Sequence, residues 1–405
     1  MRLLITRRNI VGVLLLLFVV VMLFMAAWVA VAGPVTVYRI MRYGTTTIHD
    51  FNHYPGRTLK AGDNPFPFVR QADSAGFLDE ANYGQANLSL DRLLQSNDSI
   101  AFLIVRDDTI LYEQYFQGHT AVSYSQFFSV SKSVLSALIG MAIDDGHIQS
   151  VDQPVTDFVP ELAGSGFDKI TIRHLLHMTS GTNYLENDNP FGIHVRLNYT
   201  PTLEQDILGI KAEDPPGAYF RYKSGDTALL SLILDRALGV QTITDYAQER
   251  LWSPLGMEQG GVWSLDHAPN GLEKTWCCLA ATARDLARFG RLYAHHGNWN
   301  GRQLLSANWV MDSTRLNAVP EADWPDGFRQ IGLWNYGYQW WLVSPERGDF
   351  LALGKDGQFL YVDPQTNVII VRLGESLGQM GTQGWIALFT RLAQEASEHN
   401  AAVGH

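Results

Sequence analysis

Cysteine is almost missing from this chain. Cys277 and Cys278 are the only two in 405 residues, and they are adjacent. Neighbouring cysteines lie closer than the usual span of a disulfide, so the pair predicts two small buried apolar side chains rather than a staple. A zinc finger is excluded because no second ligand pair stands at the required spacing. Basic charge is scarce as well. With 30 Lys and Arg against 41 Asp and Glu the net charge is −11, and no basic stripe occurs. That excludes a sequence-independent nucleic-acid binder, which needs clustered cations to displace counterions. Internal repeats and low-complexity tracts are also lacking. Charged residues make up 18% and apolar ones 46%, enough for a substantial core and against disorder.

What is present begins at the amino terminus. Ile10 to Ala32 is apolar without one charge, about the length that crosses a bilayer as a helix. Arg2, Arg7 and Arg8 precede it, the pattern of a cytoplasmic start, although Arg39 and Arg42 follow on the other side. Ala30-Val31-Ala32 also resembles a signal-peptidase site, but the run exceeds a usual signal core. It therefore predicts an uncleaved anchor at 10–33 after a cytoplasmic segment at 1–9. The bulk of the chain is then exported, to the periplasmic or extracellular side. No cysteine lies near the run, which excludes a bacterial lipoprotein. Residues 34–72 mix Gly, Pro, Thr and isolated basic residues without periodicity and read as a juxtamembrane spacer. The folded domain is expected at 73–400, starting near Asp73.

Within it, Ser99 to Val105 and Thr109 to Phe116 read as strands around an Asp107-Asp108 turn. Apolar residues from Val130 to Ile143 recur at helical spacing around most of the girth, which predicts a buried helix. Helical patterns follow at Thr171 to Met178, Thr227 to Leu238 and Ala283 to His295. Tyr336 to Val343, Phe350 to Leu353, Gln358 to Val362 and Val368 to Leu373 read as four strands, and Trp385 to Glu398 as a closing helix. Strands at both ends with helices between predict an α/β fold of the α+β kind. One antiparallel sheet is built from both chain ends and flanked by helices, with a mostly helical lobe inserted. The site is expected in the cleft between them.

The strongest chemical signal is Ser129-Val130-Ser131-Lys132. A serine hydroxyl needs a base within reach, and Ser-x-x-Lys at a helix start puts both side chains on one face. The helix N-terminus favours a developing negative charge, and burial lowers the pKa of a lysine amine. A capping serine followed by a surface lysine would give the same tetrapeptide, but the buried character of this helix opposes that. Tyr222-Lys223-Ser224 and Lys355-Asp356-Gly357 follow in the order of serine–lysine acyl-transfer enzymes.

Together with Ile170-Thr171-Ile172-Arg173-His174-Leu175-Leu176-His177-Met178-Thr179-Ser180-Gly181, Pro254-Leu255-Gly256-Met257 and Ala283 to Gly290, these motifs resemble the class C β-lactamase-related serine hydrolases. That group includes penicillin-binding DD-peptidases, esterases and 6-aminohexanoate-dimer hydrolases. The similarity covers about Asp73 to Ala396. It implies Ser129 as nucleophile, Lys132 as base, Tyr222 as proton shuttle to the leaving group, and Lys355 as the charge that orients the tyrosine. It implies an oxyanion hole from the backbone N–H groups of Ser129 and Gln358, and needs no metal or organic cofactor. Ser224 and Gly357 become candidate substrate contacts. Tyr184 joins them with Glu186 on a loop that either reaches the cleft or is simply solvated. Two departures from class C β-lactamases stand out: Ser224 in place of asparagine, and Asp356 in place of threonine. The Tyr-x-Ser form resembles the dimer hydrolases and esterases, so a small-molecule amide or ester is the expected substrate. A DD-carboxypeptidase or β-lactamase is the alternative, and a catalytically silent membrane-tethered binding module a further one.

Rival motifs are weaker. Gly374-Glu375-Ser376-Leu377-Gly378 matches a nucleophile elbow, but the acids and histidines after it come too late for a triad. His174 and His177 form no His-Glu-x-x-His, so a metal site is not expected. Asp356 stands where a phosphate loop needs Ser or Thr for magnesium. The aromatic cluster Trp334, Tyr336, Tyr338, Trp340 and Trp341 fits a core-facing strand, with some members open to lining the cleft. Oligomeric state is not legible.

Overall fold

The computed structural model describes residues 7–70, 89–315 and 325–403; the expected domain start near Asp73 lies outside them. An apolar helix α1 (Arg7–Ala32) runs into α2 (Pro34–Tyr43) through Gly33. The main sheet has eight strands, ordered β8-β9-β10-β11-β12-β3-β4-β2. Its centre comes from both chain ends: β3 (Ser99–Arg106) and β4 (Thr109–Tyr115), with β12 (Val368–Gly374) paired to β3. β2 (Val69–Arg70) lies parallel at one edge, the other pairs being antiparallel. β8 (Asn335–Tyr336), β9 (Trp341–Leu342), β10 (Phe350–Gly354) and β11 (Gln358–Asp363) complete it. β3 and β12 are almost wholly buried, as strands covered on both faces must be, and they are correspondingly continuous in Ile, Val and Leu. α7 (Ala283–Ala294) covers one face, so closely that a Cβ on Gly290 would stand 2.7 Å from Leu360. α8 (Gly381–Val403) covers the other through Trp385 and Phe389.

The predicted strand at Tyr336 to Val343 is broken. A two-strand hairpin, β8 with β9, turns through Gly337 and Gln339 (φ 64°). A Cβ at 337 would overlap the Ser313 carbonyl oxygen at 1.8 Å, so the turn needs glycine there. Trp340 consequently stays in the core, stacked near Phe289.

The inserted lobe carries α3 (Ser131–Asp144), α4 (Ile172–Leu176), α5 (Ile193–Tyr199) and α6 (Ser224–Leu238). It also holds a second sheet that periodicity did not reveal, ordered β1-β6-β7-β5: β1 (Gly56–Leu59), β5 (Ser125–Gln126), β6 (Gly261–Ser264) and β7 (Leu279–Ala281). Because β1 pairs with β6, the expected spacer is folded onto the domain. Arg39 donates to the carbonyls of Tyr199, Thr200 and Asp266, and Ile48 is buried. Isolated polar residues that looked like linker chemistry are partners for backbone groups far away in sequence.

Helix α3 is buried from Ser131 to Ala142, as its apolar girth predicts. Small residues let it pack closely: a Cβ on Gly140 would lie 2.5 Å from the Trp309 ring. This fixed helix carries the predicted base.

Candidate active site

Ser129 sits in a short 3-10 turn (Phe128–Val130) that leads into α3. Phe128 holds φ 48°, a left-handed conformation rare for a bulky residue and found where surrounding structure enforces a functional geometry. Across from it, the β10–β11 turn presses on the same loop. A Cβ on Gly354 would stand 2.4 Å from the Phe127 carbonyl oxygen, so Gln358, opposite Gly354 in the ladder, is held beside the serine turn.

One helical turn on, Lys132 is 1% exposed. Its Nζ lies 2.7 Å from Ser129 Oγ, 2.9 Å from Ser224 Oγ and 3.0 Å from the Trp276 carbonyl oxygen. Burial pulls its pKa down to about 8, with the Glu186 charge opposing the fall. A neutral amine has two hydrogens and one lone pair. The Ser224 and Trp276 oxygens accept the two hydrogens, which leaves the lone pair for the Ser129 proton.

Ser224 opens α6 and is fixed by Glu186. The carboxylate accepts from the Ser224 backbone N–H (2.7 Å) and from its hydroxyl (2.6 Å), a favourable place for a carboxylate at a helix N-terminus. Tyr222 bonds with Ser129, while burial and the Glu186 charge raise its pKa above the ordinary phenol value. Its ring stacks on Trp341 and lies 5.0 Å below the Lys132 ammonium. The neighbouring Lys223 turns away and binds Ser180 and Thr182, with Asp226 at 3.9 Å, locking that loop to α6.

These groups floor a cleft of about 570 Å³, counted out to solvent. Ser129 and Ser224 lie at its base, with Glu186, His194, Trp276 and Lys355 among the walls. Thr46, Asp50 and Tyr54, from the segment expected to be a spacer, complete it. No sequence signal marked them, because their place depends on long-range pairing. Lys355 does not orient Tyr222. Its Nζ donates to the Thr46 carbonyl (2.8 Å) and to Asp356 (2.7 Å), with the Phe128 ring 5.2 Å away. The Asp356 found in place of threonine therefore ties up this lysine and draws it to the rim.

Two candidate contacts move out of the cleft wall. Tyr184 is fully buried and pairs its hydroxyl with His194 Nδ1 at 2.8 Å, so it positions the wall rather than touching substrate. Gly357 (φ 78°) gives its carbonyl to the buried Arg372 at 2.6 Å and shapes the turn before Gln358. Ser376 of the rival elbow donates to Asp98, and His174 caps α4 through Thr171.

The cysteine reading is corrected. Cys277 and Cys278 form a disulfide, with Cα atoms 3.7 Å apart, and both line the cleft. Span alone argued against the bond. The tight turn after Lys274, whose carbonyl accepts from both cysteine N–H groups, brings the two side chains together. Among the described residues, His49, His119 and Glu375 bring three ligating atoms within 4.8 Å of one another, away from the residues lining the cleft.

Comparison with known proteins agrees with the architecture. Residues 90–388 match the β-lactamase family. A 6-aminohexanoate-dimer hydrolase of Paenarthrobacter ureafaciens is 30% identical over 326 residues, covering 78% of this chain and 82% of that protein. Among solved structures, a Bacillus anthracis protein described as a candidate 6-aminohexanoate-dimer hydrolase superposes with TM-score 0.71 at 23% identity, covering 89% of this chain and 95% of that one. A Mycobacterium bovis β-lactamase gives TM-score 0.55 at 20% identity, covering 76% and 99%. With most of its length matched and a serine–lysine pair beneath a cleft, the chain belongs to the β-lactamase family of serine hydrolases.

Proposed function

We infer that this hydrolase cleaves a small amide or ester through an acyl-enzyme on Ser129. Attack of Ser129 Oγ on the carbonyl carbon transfers its proton to Lys132. The oxyanion is received by the backbone N–H groups of Ser129 and Gln358. Collapse breaks the bond to the leaving group, which takes a proton from Tyr222, and Lys132 re-protonates the phenol. Water then attacks the acyl ester with Lys132 again as base, releasing the acid and restoring Ser129. A raised pKa suits Tyr222 to this donor role, since it stays protonated at neutral pH.

The observation that carries the reading is Lys132 Nζ, buried and unpaired by any carboxylate, 2.7 Å from Ser129 Oγ. A buried amine of that kind costs stability and is kept where it works. Ser224 and Asp356 replace residues expected of a β-lactamase, and 30% identity to a dimer hydrolase favours an acyclic amide. Fluorophosphonate labelling tests the assignment: a covalent adduct on Ser129 is expected, and labelling that survives Ser129→Ala would overturn it.

The setting is a membrane. Helix α1 contains 23 apolar residues, Ile10–Ala32, with no buried share in its most apolar window. It is long enough to anchor the exported domain.

A further inference from the structure

Helix α1 does not leave the domain on a free tether. Phe24 and Trp28 both pack on Phe191, with ring centroids 5.6 Å apart in each case. Met25, Trp28, Val29 and Ala32, one face of the helix, are half-buried. Helix α2 continues the attachment with Thr36 and Val37 buried and Arg39 clamped to three carbonyls. Its other face shows Val31, Val35, Tyr38 and Met41, at helical spacing and exposed. Leu185 and Phe191 are exposed too, at 52% and 46%. Other exposed large apolar residues, such as Val122 and Val240, are far from these in sequence.

This arrangement sets a depth. Phe24 lies eight residues before the end of α1 at Ala32, about 12 Å along the axis at 1.5 Å per residue. Where α1 spans a bilayer, a side chain packed on Phe24 lies at the level of hydrocarbon, and the α2 stripe with Tyr38 and Arg42 lies at the interface. The two segments fixed to this region also build the cleft: Thr46, Asp50 and Tyr54 follow α2, and Glu186, His194 and Asn198 flank Phe191.

We propose that the cleft opens against the bilayer and that its substrate is a membrane-resident amphiphile, whose ester or amide bond reaches Ser129 while its apolar chain stays in lipid. The proposal rests on the anchoring reading above, extends the substrate class of the same site, and makes the bilayer the partner of the Leu185–Phe191 and α2 surfaces.

The full-length protein in phospholipid nanodiscs provides the test, with single nitroxides at Leu16→Cys, Leu185→Cys, Phe191→Cys and Val240→Cys. Relaxation by oxygen should dominate at 16, 185 and 191, and relaxation by a water-soluble nickel chelate at 240. Nickel access at 185 and 191 with position 16 in lipid overturns the proposal and leaves the anchor standing. Nickel access at 16 overturns the anchor itself. Phe191→Glu should slow hydrolysis of p-nitrophenyl palmitate held in the nanodisc by about tenfold or more, with p-nitrophenyl acetate changed by less than about twofold, since only the lipid contact is lost. Equal loss on both esters overturns the proposal.

Discussion

Lys132 and Lys355 stand at opposite ends of one cleft and are treated in opposite ways by the fold. Lys132 lies under the floor, 1% exposed, with every printed partner an uncharged oxygen. Lys355 lies at the rim with 43% of its side chain exposed, paired to Asp356 and bonded to Thr46. The first is a charge the interior resists; the second is a latch between the β10–β11 turn and the segment after α2. The difference teaches that a lysine in a motif acquires its role from its partners rather than from its place in the sequence order.

That contrast breaks first at Ser129 and Lys132. Ser129→Ala should lower turnover by about 10⁴-fold or more, read in steady-state hydrolysis of a small ester. Lys132→Met should lower it by about 10²–10⁴-fold, the usual contribution of a positioned base, while raising the melting temperature, because a buried amine is replaced by an apolar chain of similar length. A lowered Tm would mean that the amine is structural. The stability curve carries the same sign. The folded pKa of Lys132 is about 8, below its ordinary value of 10.5, so between these values the unfolded chain binds more protons. Stability from this group therefore rises with pH across about 8 to 10.5, by at most about 1.4 kcal/mol per pH unit, and the Met variant should lose that slope in denaturant titrations.

Smaller effects sharpen the comparison. Lys355→Ala should cost less than about tenfold in turnover, because its ammonium is bonded to Thr46 and Asp356 rather than to Tyr222. A loss as large as that of Lys132→Met would restore it to the reacting groups. Smallest is the reduction of Cys277–Cys278: mild thiol treatment followed by alkylation should add two alkyl groups, since both sulfurs line the cleft.

What the sequence made legible follows the same division. Elements with a strong period, such as β3, β12, α3 and α7, stand where their apolar patterns predict, because burial alone determines them. Ser129, Lys132 and Tyr222 were legible because a helix start and a motif order bring them together. Glu186 and His194 were not, since an aperiodic loop gives no sign of which oxygen or nitrogen it will deliver to Ser224 or Tyr184. The break at Gly337 escaped because alternation of aromatic residues resembles a continuous strand until the Ser313 carbonyl fills the space beside the glycine. Thr46 and Asp50 looked like linker because their partners lie on distant elements.

The central claim is that a neutral, buried Lys132 makes Ser129 nucleophilic, and the pH dependence of fluorophosphonate labelling at Ser129 tests it most directly. The labelling rate should rise with pH through a midpoint near 8 in the native protein, and Glu186→Gln should move that midpoint lower by removing the charge that favours the ammonium. A rate with no such inflection, or an inflection retained in Lys132→Met, would contradict the account.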